Sequence, residues 1–112
     1  MAVAFNQFVL QGADILNVTS LQFGPDGRLY AAQIDGRLKA FTVQEDANGY
    51  SVTSSETIDL IRTIVNHNDD GTINTGVTTR QVLGILVTGT AANPVVYVTS
   101  EDPRVGAGET FL

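Results

Sequence analysis

The polar segment "NHNDDGTINTGVTTR", residues 66–80, carries the side chains best suited to chemistry. His67 is the single histidine of the chain, and an imidazole titrates close enough to neutral pH to act as a general base. Arg80 ends the segment, and its planar guanidinium matches a carboxylate or another anion. His67 and Arg80 are therefore candidate ligand-binding residues. The simpler alternative is a solvated loop histidine and an ion pair between Arg80 and a nearby aspartate.

The same segment approximates the spacing of a calcium-binding loop. Asn66, Asn68 and Asp70 place oxygen-bearing side chains at every second position, and a glycine follows where such loops bend sharply. These three residues are the candidate metal ligands. The pattern departs from a calcium loop at its first position, which is Asn, and at its twelfth, where Val77 replaces the bidentate Glu. The alternative is a loop whose side chains bond their own backbone.

The elements that must position this segment are strands. In residues 17–43, turn chemistry at Pro25-Asp26-Gly27 and at Asp35-Gly36 interrupts apolar alternation, which predicts an antiparallel meander. In its first strand the alternation puts Val18, Ser20 and Gln22 on one side and Thr19, Leu21 and Phe23 on the other.

Further strands are expected around this meander. We predict an opening strand over Phe5–Gln11, a fourth meander strand over residues 50–58, and two more strands over Gln81–Thr88 and Val95–Ser100. Residues 59–65 fit either a strand or a short helix. Glu101-Asp102 with Arg104 is typical of a solvated turn, and no closing element is expected in the Gly-rich end "RVGAGETFL".

About seven strands at close spacing predict an all-β fold. We expect a four-stranded antiparallel meander, which is a propeller blade, plus part of the neighbouring blades. Residues 1–112 then form one β domain, with a first blade over 17–65, a polar inter-blade loop over 66–80 and an incomplete second blade over 81–112. A self-closed β-sandwich is the alternative.

Amino-acid composition limits the classes of molecule that this chain is expected to bind. The chain has 112 residues, twelve acidic against six basic side chains and a formal net charge of −6. This acidity disfavours nucleic acid and anionic membranes as partners. The absence of cysteine rules out disulfides, thiolate zinc sites and cysteine catalysis, and leaves the compartment undetermined. The first residues resemble neither a signal peptide nor a membrane span, so we expect a soluble chain.

Two stretches resemble a known family. "TSLQFGPDGRLYAAQIDGRLKAFTV" resembles the first blade of the glucose/sorbosone dehydrogenase-like β-propellers, in which a G-P-D-G turn, an L-Y-x-A strand and a D-G-R hairpin recur. "TRQVLGILVTGTAANPVVYVTSEDPRVG" resembles the next segment of that family, in which an arginine and a leucine-glycine step precede a strand, an Asn-Pro loop and a V-Y-V strand. Together the similarity covers residues 17–106.

The resemblance implies a fold and an activity. These soluble sugar dehydrogenases oxidise a sugar at pyrroloquinoline quinone (PQQ), with a histidine base and a calcium ion. The members are several times longer than this chain, and their catalytic histidine and most quinone-contacting basic residues come from later blades. PQQ and calcium are thus implied by the family alone, and no catalytic position is carried over.

Two hypotheses on function follow. The first is a partial propeller module resembling the N-terminal part of a PQQ-type sugar dehydrogenase. It would be non-catalytic alone and act as a structural or binding scaffold that forms a homo-oligomer through exposed strand edges. The second is an oligomer that rebuilds a sugar- or quinone-binding propeller with oxidoreductase activity.

Overall fold

The computed structural model describes residues 3–104, and strands dominate this range. They are β1 (Leu10–Gln11), β2 (Val18–Phe23), β3 (Leu29–Gln33), β4 (Leu38–Asp46), β5 (Gly49–Ile58), β6 (Asn66–His67), β7 (Ile73–Asn74), β8 (Gln81–Gly89) and β9 (Pro94–Glu101). A 3-10 helix spans Leu60–Thr63. The predicted all-β class is confirmed. Within the described range no helix has the length and apolar character needed to cross a membrane.

The predicted meander is confirmed, including its fourth strand. Strands β2 to β5 pair antiparallel, each with the next, in a curled sheet of order β1-β5-β4-β3-β2. The two tight turns use glycine where the backbone requires it, because Gly27 and Gly36 have φ of 78° and 90°. Turn chemistry and alternation are local properties, which is why they predict this part of the fold.

The opening strand is shorter than predicted. Only Leu10–Gln11 is a strand, and it pairs parallel with Tyr50 and Ser51 of β5. Because β5 begins at Gly49, which is level with Val9 in this register, residues 5–8 extend beyond the end of their partner strand. The prediction for residues 5–9 was therefore wrong.

The stretch from residue 59 to residue 80 contains two short elements. The open question at residues 59–65 is settled by the 3-10 helix, in which the Arg62 amide donates to the Asp59 carbonyl at 3.2 Å. The predicted polar loop contains the small hairpin β6–β7, in which Asn66 lies opposite Asn74. Strands of two residues are too short to show an alternation of apolar and polar side chains, so the sequence pattern does not reveal them.

The core lies between the meander and the β8–β9 hairpin. The meander contributes Tyr30, Ala32, Leu38 and Ala40, and the hairpin contributes Val82 and Val87. The side-chain amide of Gln22 also joins the layers, because it donates to the Val87 carbonyl at 2.9 Å and accepts from the Val87 amide at 2.8 Å. Gln22 thus satisfies backbone groups that would otherwise be unpaired.

Thr19 departs from the predicted alternation. Its hydroxyl donates to the Val82 carbonyl at 2.7 Å, so it reaches β8, as Gln22 does. The register shifts between Val18 and Ser20, which marks a β-bulge. Because a bulge inserts an extra residue, side chains on either side of it no longer alternate strictly.

Candidate functional site

Arg80 lies immediately before β8 and is buried, with 7% of its surface exposed. Its Nη1 donates to the Asn66 side-chain oxygen at 2.8 Å. Its Nη2 donates to the Ser100 carbonyl at 3.2 Å and hydroxyl at 3.1 Å. The guanidinium therefore connects β6 with β9, two strands that do not pair with each other. These hydrogen bonds bind the Arg80 guanidinium to other groups of the protein.

Asn66 is fully buried beside Arg80. Its side-chain nitrogen donates to the carbonyls of Val77 at 2.9 Å and Thr79 at 2.8 Å. Both amide hydrogens are thus used, while the oxygen accepts from Arg80. Asn66 fixes the path of the chain that leads into Arg80.

Asp102 and Arg104 add an ion pair and further hydrogen bonds to those of Arg80 and Asn66, although their sequence pattern was typical of a solvated turn. We call these four residues the buried network. The Asp102 carboxylate is inaccessible to solvent and binds Arg104 through its Nε at 3.0 Å and its Nη2 at 2.7 Å. Arg104 also donates to the Asn68 side-chain oxygen at 2.9 Å and to the His67 carbonyl at 2.8 Å. The solvated-turn interpretation was wrong for Asp102, because the segment after β9 docks on the β6–β7 hairpin.

The charges around Asp102 favour its ionised form. Hydrogen bonds from the Arg104 side chain lower the pKa of Asp102 most, and they outweigh burial, which raises it. The backbone amide of Arg104 and the positive charges of Arg104 and Arg80 lower this pKa further. The carboxylate and the two guanidinium groups thus form one electrostatic unit.

We expect acid to weaken the protein through Asp102. A carboxyl whose pKa is lower in the folded than in the unfolded state contributes stability above its unfolded pKa, about 3.9. That stability is lost as pH falls through the folded pKa. Urea unfolding between pH 7 and pH 2 should therefore show that Asp102→Asn reduces stability at pH 7 and that the difference from the wild type shrinks below about pH 4.

Asp14→Asn is the matched control, because the Asp14 side chain is almost fully exposed. We expect it to keep the acid dependence of the wild type. A constant gap between the wild type and Asp102→Asn over the whole pH range would contradict the role assigned to Asp102.

The predicted calcium ligands are engaged within the protein. The Asn68 oxygen accepts from Asn74 at 3.0 Å as well as from Arg104, and an Asp70 oxygen accepts from the Thr72 amide at 3.0 Å. The Thr72 hydroxyl and amide lower the pKa of Asp70. The oxygens of Asn66 and Asn68 therefore face guanidinium groups, a setting that disfavours a cation. Calcium binding by Asn66, Asn68 and Asp70 stays a prediction.

His67 lies on β6, opposite Ile73, and is half-buried. Its contact with the network runs through its backbone carbonyl, which accepts from Arg104. Among the described residues, no group of three or more histidine or acidic side chains is placed to hold a metal ion. His67 as a ligand-binding residue stays a prediction.

A second polar region, which the sequence pattern did not indicate, lies at the β3–β4 turn. A cleft of about 260 Å³ is lined by Asp14, Leu16, Gln33, Asp35, Arg37 and Lys39. Gln33 is buried there, accepts from the Leu16 amide at 3.1 Å and donates to Asp35 at 3.1 Å. Arg37 forms an ion pair with Asp35. This cleft is smaller than a typical ligand pocket, and its contacts organise the turn.

The buried network joins β6, β8, β9 and the segment after β9. Its hydrogen bonds hold these elements against one another. The candidates Asn66, Asn68 and Arg80 come together in it, while Asp70 bonds within its own turn. Comparison of this chain with protein-family models, with curated proteins and with solved structures finds no match.

Proposed function

We propose that this chain is a β-propeller module, one blade plus the first strands of the next, that acts as a self-associating scaffold and is non-catalytic alone. One observation carries the proposal: the β8–β9 hairpin packs face to face on β2 and β3 of the meander. A propeller is built by radial repetition of four-stranded sheets, and the strands β2 to β5 of the meander correspond to one such sheet. The sequence resemblance to the sugar dehydrogenase propellers supports the same architecture.

Strand direction supports this interpretation. Thr19 contacts Val82 and Gln22 contacts Val87, so β2 and β8 run the same way along their contact. The chain leaves the meander at β5 and returns through residues 59–80 to place β8 against β2 and β3. A propeller requires this connection, because the first strand of each blade lies beside the first strand of its neighbour around the axis.

Apolar side chains are exposed on both outer sides of this stack, although Ala31 and Phe41 on the central strands of the meander are buried. On the side of the meander away from the hairpin, Leu21 and Phe23 are 57% and 62% exposed; we call these two residues the meander face. On the side of the hairpin away from the meander, Leu86 and Tyr97 are 53% and 59% exposed. Together with Val95 they form the hairpin face. Exposed apolar patches of this kind mark contact surfaces.

Strand edges add to the tendency to associate. Within the described residues, β2 and β9 each end a sheet and pair on one side only. Their free edges carry backbone donors and acceptors that a further strand satisfies. Apolar faces and free edges in one molecule favour a homo-oligomer over an isolated monomer.

Light scattering coupled to size exclusion tests the proposal. We expect the wild-type chain to have a mass that is a whole multiple of 11.9 kDa and persists on dilution. Phe23→Asp should weaken the association at least tenfold, on the order of 1.4 kcal/mol, because it buries an unpaired charge in an apolar contact. A folded wild-type monomer at every concentration would overturn the proposal.

Ser55→Asp is the matched control. Ser55 shares the Phe23 side of the sheet, since Phe23 pairs with Leu29, Leu29 with Phe41, and Phe41 with Ser55. Ser55→Asp adds the same charge to that side at an exposed polar position on β5, three strands away from β2. We expect it to leave the mass unchanged.

A further inference from the structure

We infer that Asn48 is a site of spontaneous covalent modification, at which the side-chain amide is lost and the turn between β4 and β5 gains an isoaspartyl linkage. The chain has seven asparagines, and Asn48 alone is followed by glycine. Glycine has no Cβ to hinder its amide nitrogen, which is the atom that attacks the side chain of the preceding asparagine. The reaction does not require copies of the chain to associate, so it goes beyond the proposed function.

The reaction has two steps, and water is its only co-reactant. The deprotonated Gly49 amide nitrogen attacks the side-chain carbonyl carbon of Asn48 and closes a cyclic succinimide. The bond from this carbon to the side-chain nitrogen breaks, and ammonia leaves with the proton that the Gly49 amide gave up. Water then opens the ring at either carbonyl. One opening yields aspartate, and the other yields isoaspartate, in which the main chain runs through the side-chain carbon atoms.

The structure leaves the Asn48 side chain available for this attack. Asn48 lies in the two-residue turn between Asp46 and Gly49, which pair with each other across the hairpin. It is exposed, so water reaches it. Its backbone amide donates to an Asp46 carboxylate oxygen at 2.7 Å, whereas its side-chain amide makes no hydrogen bond within residues 3–104. The side chain is therefore free to rotate toward the Gly49 nitrogen.

The other asparagines are held by hydrogen bonds or followed by less reactive residues. The side chains of Asn66, Asn68 and Asn74 are all hydrogen-bonded. Asn93 precedes Pro94, which has no amide hydrogen to lose. The remaining two precede a glutamine and a valine, whose side chains crowd the attacking nitrogen. Sequence and structure thus single out Asn48.

Modification at Asn48 would act on the edge where β1 joins the sheet. An isoaspartyl linkage lengthens the main chain inside a two-residue turn, so the pairing of Glu45 with Tyr50 loses its register. Tyr50 also pairs with Leu10 of β1, and its ring lies against that of Phe8 with centroids 5.7 Å apart. The new carboxylate adds a negative charge beside the acidic end of β4, where like charges repel. We therefore expect modification to loosen β1 from β5.

Peptide mapping by mass spectrometry tests the inference. Wild-type protein is incubated at mildly alkaline pH, where the Gly49 amide loses its proton more readily, and the same protein in urea serves as the unfolded reference. The peptide that contains Asn48 should gain the mass difference between an amide and a carboxylic acid, and electron-transfer fragmentation should identify isoaspartate in it. Reaction at Asn48 should be at least about tenfold faster than at Asn68, because the Asn68 side chain must first break its hydrogen bonds.

Two variants complete the experiment. Asn48→Gln is the resistant control, because its longer side chain would have to close a larger ring. Freshly prepared Asn48→Asp carries the new charge without the isoaspartyl linkage, so amide hydrogen exchange at Leu10 and Gln11 should be faster in the incubated wild type than in this variant. Equal exchange would contradict the loosening of β1. An Asn48 amide that persists in the folded protein but reacts in urea, or equal rates at Asn48 and Asn68, would overturn the inference.

Discussion

Arg80→Met is expected to reduce the free energy of unfolding by about 3 kcal/mol, because it removes one partner from a buried charged network. The buried oxygens of Asn66 and Ser100 would lose their charged donor, and Asp102 would lose a nearby positive charge. Methionine keeps much of the side-chain length, so the loss reports on the hydrogen bonds and the charge more than on the volume. Urea unfolding at pH 7 and one fixed protein concentration measures it.

The control is a second arginine in a different setting. Arg37 has 40% of its side chain exposed and pairs with Asp35 at the surface. Arg37→Met should cost about 0–1 kcal/mol, the usual contribution of an exposed ion pair. Equal losses for the two variants would contradict the view that burial makes Arg80 important.

Gly36→Ala is expected to cost substantially more than Gly27→Ala. Both glycines have positive φ, 90° and 78°, so each alanine carries a similar backbone penalty of about 1–2 kcal/mol. They differ in the space around them. A Cβ at Gly36 would lie 2.6 Å from the Arg80 carbonyl oxygen, whereas nothing lies within 4 Å of a Cβ at Gly27.

The excess loss at Gly36 should reach roughly 2 kcal/mol, because overpacking against backbone forces the chain to move. Thermal unfolding of the two variants side by side measures the difference. The contact also connects the β3–β4 turn to the start of β8, so we expect Gly36→Ala to disturb the surroundings of Arg80. Equal unfolding temperatures for the two variants would contradict the close approach seen at Gly36.

The buried network bears on the two functional hypotheses. Arg80 was the best sequence candidate for binding an anion, and the structure places it among strand-connecting hydrogen bonds. The network instead holds the β6–β7 hairpin and the segment after β9 beside the start of β8. This arrangement supports a scaffold, in which the second sheet must keep its position for its outer face to be presented. The oligomer that oxidises sugars with a quinone stays a prediction.

Local chemistry determined the meander. Alternation along β2 and β4, with Asp35-Gly36 and Pro25-Asp26-Gly27 at the turns, specifies pairing between strands that are neighbours in sequence. The fourth strand, β5, follows for the same reason. The all-β class, the meander and the approximate positions of β8 and β9 could therefore be predicted from the sequence.

Tertiary structure decided the hydrogen bonds between the sheets and within the buried network, because the residues that form them are distant in the chain. Arg104 bonds the His67 carbonyl across 37 residues, and Gln22 bonds Val87 across 65. No local pattern reveals that Asp102 is buried beside Arg104. Nor does one reveal that the Asn66 side-chain nitrogen donates to the carbonyls of Val77 and Thr79. The propensity and alternation of a strand fix which side chains can share a face; only the packing of one sheet on another decides which polar groups lose water and must find each other.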